Sequence, residues 1–119
     1  MKKFSIVYVE DIIEAIGLVE TYVKNTSEVQ FSRNTQLQDA VIRRLVIIGE
    51  AANKIPGEAR GLAPAIPWRT IVGFRNVAIH DYASVKMGRV WEITQTELPI
   101  LKKEIASLRT KLLAPPNNE

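Results

Sequence analysis

No cysteine occurs among the 119 residues, and histidine occurs once, at His80. The first absence excludes disulfides, zinc-thiolate sites and thiol catalysis; the second excludes a metal cage built from several histidines. A metal held by carboxylates alone has no supporting pattern, so neither a metal nor a cofactor is expected. Long apolar runs are missing too: stretches such as LVIIG, residues 45–49, fall far short of a bilayer span. At the start, MKKFSIVYVEDII carries two lysines, but Glu10 and Asp11 interrupt the apolar stretch and no small-residue cleavage site follows. A secretory signal is therefore not expected, and the protein is expected to be cytoplasmic, away from any membrane.

What is present is an ordinary globular composition, 46% hydrophobic and 24% charged, in a chain long enough for one domain and too short for two. The expected organisation is a single helical domain over residues 1–114 with a frayed tail at 115–119. The net charge of +3 is unevenly spread. Residues 1–30 hold three basic and five acidic side chains, whereas residues 31–96 hold nine basic and five acidic. The basic middle suits a polyanionic partner, although a mixed-charge, solvated surface accounts for most such residues taken singly.

Apolar residues recur at three- and four-residue steps in four stretches. Val9, Ile12, Ile13, Ile16, Val19 and Val23 mark a first helix, with Ser5 as its expected N-cap. The polar segment KNTSEVQFSRNT follows, with room for a short helical piece around Phe31. Leu37, Val41, Leu45, Ile48 and Ala52 mark the next helix, which should stop by Pro56-Gly57. After the proline-rich connection at 56–67, a helix should start just beyond Pro67, its stripe running Trp68, Ile71, Val72, Val77 and Ile79. The last stretch, from Val85 to Leu113, is helical in pattern, with Pro99 expected to break or kink it at the Glu97-Leu98 boundary. The fold class expected is all-α, an up-and-down bundle of four to five helices.

One octapeptide, RNVAIHDY at residues 75–82, concentrates an arginine, an asparagine, the single histidine, an aspartate and a tyrosine. Arginine suits bidentate contact with phosphate and neutralisation of charge on a phosphoryl group; histidine takes and gives protons near neutral pH. RNA supplies its own nucleophile, the 2′-hydroxyl, so a histidine base, an arginine clamp and an amide orienter could cleave it without a metal. On a continuous helix, however, Arg75 and His80 point about 140° apart. Either the helix unwinds near His80 or a second chain completes the site. One histidine does not easily serve both ends of an in-line displacement, and a two-fold homodimer would supply two histidines and two arginines.

PWRTIVGFRNVAIHDY, with the upstream QDAVIRRLVIIGEAANKIP and the opening YVEDIIEAI, resembles the HepT-like group of HEPN-domain proteins from about Tyr8 to Leu112. The specific part is R-x-x-x-x-H-x-Y, with the asparagine after the arginine and the upstream Pro-Trp. The resemblance implies a dimeric all-α HEPN bundle and a metal-independent endoribonuclease acting as the toxin of a type VII toxin–antitoxin system. The implied partner is an MntA-type nucleotidyltransferase antitoxin. By position, Arg75 and His80 match the catalytic pair, Asn76 the polar residue after the arginine, and Tyr82 the tyrosine that the partner modifies with AMP. Asp81 either orients His80 or caps the helix exit. Arg43 and Arg44 either extend an RNA phosphate-binding surface or are solvated or intersubunit pairing groups. Trp68 and Trp91 read as core or interface aromatics. Two competing readings are a non-catalytic nucleotide- or substrate-binding subunit of a nucleotidyltransferase complex and a plain dimerisation module.

Overall fold

Short polar side chains decide where the first helices begin and end. The computed structural model describes residues 2–115, with side chains from Ser5 onward. Helix α1 spans Lys2–Val23 and buries Val9, Ile12, Ile16 and Val19. Beyond it Asn25 takes φ 59°, a left-handed conformation that asparagine tolerates better than most residues, and the chain reverses. Ser27 and Gln30 then form a reciprocal capping box, the Gln30 N–H donating to Ser27 Oγ at 3.1 Å and the Ser27 N–H to Gln30 Oε1 at 2.8 Å. That box starts α2, Glu28–Ser32, whose Phe31 is fully buried and meets Trp91 with ring centroids 5.4 Å apart. Asn34 Oδ1 accepts the Leu37 N–H at 3.0 Å and so caps α3, Thr35–Lys54.

The connection at 56–67 holds one more short helix, α4, Gly57–Arg60. Its Arg60 reaches back to the end of α3, donating from Nε to the Ile55 carbonyl and from Nη2 to the Ala52 carbonyl, both at 2.9 Å. The Ala52 carbonyl accepts otherwise only the Ile55 N–H at 3.2 Å, and these carbonyls stand at the open end of α3, so a member of the basic middle is spent on capping. Its guanidinium also lies 5.5 Å from the centre of the Trp68 ring, and Trp68 Nε1 donates to the Ala63 carbonyl at 3.1 Å. Helix α5 runs Trp68–His80, starting just after Pro67 as expected. A 3-10 turn at Tyr82–Ser84 leads to α6, Met87–Glu92, a π-turn at Ile93–Glu97, and α7, Leu98–Leu113.

Three expectations change and a fourth is narrowed. Ser5 does not cap α1: the chain is already helical at Lys2, and Ser5 is buried at the head of the stripe that continues through Val9 and Ile12. Of the break or kink expected at Pro99, the break does not occur, but the helix is distorted at the expected boundary: a π-turn ends at Glu97, with the Leu98 N–H donating to the carbonyl of Ile93, five residues back, and α7 runs on through Pro99. Counting α6, the π-turn and α7 as one continuous run gives six helices among the described residues, not four or five, chiefly because α4 forms inside the proline-rich connection. The stripe expected on α5 is only partly buried: Trp68 is buried and Ile71 and Val72 half-buried, whereas Val77 and Ile79 are 41% and 45% exposed and Ala78, outside the stripe, is buried. The reason lies in the order of packing. α1 packs against α3 and α7, and α3 packs against α1 and α5, which leaves α5 at the end of the row with one long neighbour.

The result is an all-α helical bundle with its core between α1, α3 and α7. No helix among the described residues is long and apolar enough to cross a membrane. The tail expected to fray, 115–119, lies outside the described residues from 116 onward.

Candidate functional site

A glycine in the middle of α3 sets the position of Arg75. A Cβ added at Gly49 would come closer to Arg75 Cβ than real carbons approach, and would stand 3.2 Å from the Ile71 carbonyl oxygen. Only hydrogen fits there, so α5 crosses α3 at close range with the base of the Arg75 side chain against Gly49. Arg75 is half-buried; its Nη1 donates to Asn76 Oδ1 at 2.9 Å, while its Nε is buried with no hydrogen-bond partner. Arginine and asparagine are thus brought together, and the guanidinium is not saturated by its own chain.

His80 is the last residue of α5 and is exposed. The helix stays regular up to it, the Asp81 N–H closing on the Val77 carbonyl at 2.8 Å, and leaves helical conformation only at Asp81. The unwinding expected near His80 thus falls directly after it, at Asp81, and does not turn His80 toward Arg75. Arg75 shares the α3-facing side of α5 with Ile71 and Ala78, and His80 points outward, about 140° round the helix. No hydrogen bond joins the two.

The residues after His80 fold back onto α3. Asp81 accepts from Ser84 Oγ at 2.5 Å and the Ser84 N–H donates to the Asp81 carbonyl at 2.9 Å, so its carboxylate ties the 3-10 turn rather than the imidazole. Tyr82 is 48% exposed and its hydroxyl donates to Asp39 Oδ1 at 3.4 Å. Partial burial first, and then the adjacent Asp39 charge and hydrogen bond, push the phenol above the usual tyrosine value. Asp39 carried no signal in the sequence, being one acidic residue on a helical pattern.

Arg44 and Arg43 are distinct in their surroundings. Arg44 Nε donates to Tyr22 Oη at 3.3 Å, which holds α3 to α1, whereas Arg43 is exposed and makes no hydrogen bond or ion pair among the described residues. Trp68 is buried and Trp91 half-buried on Phe31, so both are packing aromatics within this chain.

Beside Arg75 lies an open cavity of about 330 Å³ whose polar lining is Tyr8 and Asp11 from α1, Glu50, Asn53 and Lys54 from α3, and Arg75 from α5. Lys54 Nζ sits 5.6 Å from the centre of the Tyr8 ring. Sequence reading missed these partners because they come from three helices; a glycine between Ile48 and Glu50 in mid-helix was the one available sign of a close crossing. Among the described residues, no three His, Asp or Glu side chains gather as metal ligands.

The family model for ribonuclease HepT-like proteins matches residues 12–108, and the chain belongs to that family. Among curated relatives it is 38% identical over 109 residues to "Probable ribonuclease HepT" of Thermococcus cleftensis, covering 92% of this chain and 99% of the relative. It is 39% identical over its full 119 residues to "Gamma-glutamylcyclotransferase and putative RNase MJ0434" of Methanocaldococcus jannaschii, of whose length it spans 54%. A third relative, "Putative RNase MJ1380" of the same organism, is 36% identical over 82% of this chain and 90% of its own. No solved structure matches the chain.

Proposed function

We propose that this chain is a metal-independent endoribonuclease that works as a homodimer, with Arg75 and His80 as its catalytic pair. The observation that carries the reading is the divergence of these two residues on an unbroken helix at the end of the bundle. One chain aims its guanidinium inward along α3 and its imidazole outward, so a second copy packed on α5 is what would bring arginine and histidine to one phosphate. The exposed Val77 and Ile79 give that outer face an apolar component. Membership of the ribonuclease HepT-like family, and the ribonuclease names of the relatives, support the reaction class.

In the proposed reaction one His80 takes the proton of an RNA 2′-hydroxyl, and the oxygen attacks the adjacent phosphorus. The bond to the 5′-oxygen breaks, and the second copy's imidazolium gives that oxygen its proton. Arg75, oriented by Asn76, neutralises the charge that builds on the phosphoryl oxygens. Arg43, exposed and without an ion pair among the described residues, would hold a flanking phosphate, while Arg44 contributes mainly through Tyr22; Asp81 supports the site by fixing the turn behind His80.

The same proposal includes regulation as the toxin of a type VII toxin–antitoxin system. A partner nucleotidyltransferase of the MntA type would add AMP to Tyr82, two residues past His80. That adduct is bulky and anionic; it would compete with RNA phosphate for Arg75 and obstruct the groove. Tyr82 is 48% exposed, which leaves the side chain open to such a partner once its hydroxyl releases Asp39.

The test compares the unaltered protein with Arg75→Ala and His80→Ala in RNA cleavage and in growth inhibition. Cleavage by the first and its loss in both variants, with helicity unchanged, is the expected result; equal activity in all three overturns the catalytic assignment. Intact-mass measurement after co-expression with the partner should show an AMP adduct on the unaltered chain and none on Tyr82→Phe.

A further inference from the structure

The cavity beside Arg75 contains more charge than a surface dimple requires. Asp11 and Glu50 bring two carboxylates, Lys54 and Arg75 two cations, and the cavity measures about 330 Å³. Yet the ion pairs of the described residues, Arg89 with Glu92 and Glu97, Lys102 with Glu20, and Arg109 with Glu10, include none of these four. None of the four bonds to another, although opposite charges lining one small space would gain by closing together. Asp11 stands on α1, Arg75 on α5, and Glu50 and Lys54 one turn apart on α3, where Lys54 lies over the Tyr8 ring instead of closing on Glu50; the four charges line one space unpaired and open to a ligand.

We infer that this cavity is a nucleotide subsite that reads guanine. Its size stands at the lower end of the roughly 300–1,000 Å³ typical of small-molecule pockets, which suits one nucleoside rather than a folded strand. Two carboxylates in the lining repel a run of phosphates, so the ligand needs a neutral, donor-bearing part as well as an anion. A base edge supplies the first and a single phosphate on Arg75 and Lys54 the second. Guanine presents two adjacent donors, N1–H and the 2-amino group, which match both oxygens of one carboxylate. Adenine and cytosine present one amino donor beside an acceptor nitrogen, and uracil one N–H between two carbonyls; each puts a lone pair against the carboxylate. Single-stranded RNA bases are recognised on these edges and by stacking on aromatic rings, and Tyr8 lines the same cavity.

For its biological ligand the inference rests on the reading of this chain as an RNA-cleaving subunit, but its test does not. The nucleoside monophosphates of guanine, adenine, cytosine and uracil are titrated into full-length His80→Ala protein, which removes turnover, and affinities are read by calorimetry. GMP should bind about tenfold or more tighter than UMP, the discrimination that one bidentate edge contact provides. Asp11→Asn and Glu50→Gln, made singly and together, should erase that preference while leaving weak binding of all four. Lys54→Ala should weaken all four alike. Equal affinities in the parent protein, a guanine preference that survives the double variant, or no measurable binding each overturns the inference; helical circular dichroism confirms that every variant is folded. RNA cleavage by the unaltered chain is measured beside it. Guanine-selective binding without cleavage sinks the nuclease reading alone, and cleavage without guanine selectivity sinks the subsite alone.

Discussion

Two depressions border the crossing of α3 and α5, and they differ in how their charges are held. One, of about 260 Å³, is walled by Leu45, Ile48, Ile71, Phe74, Leu98 and Ile100. Most of its charged rim is satisfied internally: Arg89 pairs with Glu97 and, at 2.7 Å, with Glu92 beyond the rim, and Glu104 alone of the lining makes no ion pair among the described residues. The other, at Arg75, has a polar lining and four charged side chains that make no ion pair with one another. Both draw on α3 and α5, the first closed by α7 and the second by α1, and they use roughly opposite faces of α3. A folding requirement is enough to explain the first. Charges left unpaired where a close helix crossing places them are better explained by something the protein binds.

Changes on the polar side should act on chemistry. Arg75→Ala or His80→Ala should lower RNA cleavage by about 100-fold or more, the usual scale for losing an acid–base or charge-stabilising group, with the melting temperature nearly unchanged for the exposed His80. Rates measured under single-turnover conditions on one defined RNA check this. Gly49→Ala acts on both sides at once. Overpacking against Arg75 should cost about 1–3 kcal/mol, more than the roughly 1 kcal/mol that alanine gains in helix propensity, so denaturant melts should show net destabilisation. Cleavage should fall with it, because Arg75 is pushed off its seat.

A buried polar atom that serves no ligand offers a control for the unpaired atom on Arg75. Ser5 Oγ is buried without a partner in the α1 stripe. Ser5→Ala should therefore be neutral or stabilising by up to about 1 kcal/mol and leave cleavage alone. On the apolar side, Ile100 is 64% exposed, and Ile100→Asp should change stability by no more than about 0.5 kcal/mol and cleavage not at all.

The smallest expected effect concerns Tyr82. Its phenol is held above the usual tyrosine value by partial burial and by Asp39, so the bonded neutral form contributes stability that is fully present below that usual value and is lost as pH rises through the folded one. Asp39→Asn should move the phenolate transition down toward the usual value, which absorbance titration reads directly.

How much of this was visible in the chain alone follows from what each feature depends on. The buried faces of α1 and α3 depend on local periodicity, and Val9, Ile12, Leu45 and Ile48 are where the pattern puts them. The face of α5 depends on how many neighbours it has, which periodicity does not encode; hence Val77 and Ile79 look like core and are exposed. Helix α4 hid in a proline- and glycine-rich connection, since Pro56 stands just ahead of it, where proline does no harm to a helix. The octapeptide located the candidate chemistry, and its spacing alone gave the divergence of Arg75 from His80. The cavity was not legible, because Tyr8, Glu50 and Arg75 are distant in sequence and are gathered only by a crossing that Gly49 permits.

The central claim is that a working site takes its arginine and its histidine from two chains. Mixing decides it: Arg75→Ala and His80→Ala proteins, each inactive, are unfolded together and refolded to form mixed pairs, and RNA cleavage is measured against each parent refolded alone. A site shared across the two-fold predicts that activity reappears in the mixture above either parent and below the unaltered protein, because one chain retains the imidazole that acts as base and the other the guanidinium, while water must replace the second imidazole as proton donor. A mixture as inactive as its parents, while the same procedure restores unaltered protein, would contradict the shared site.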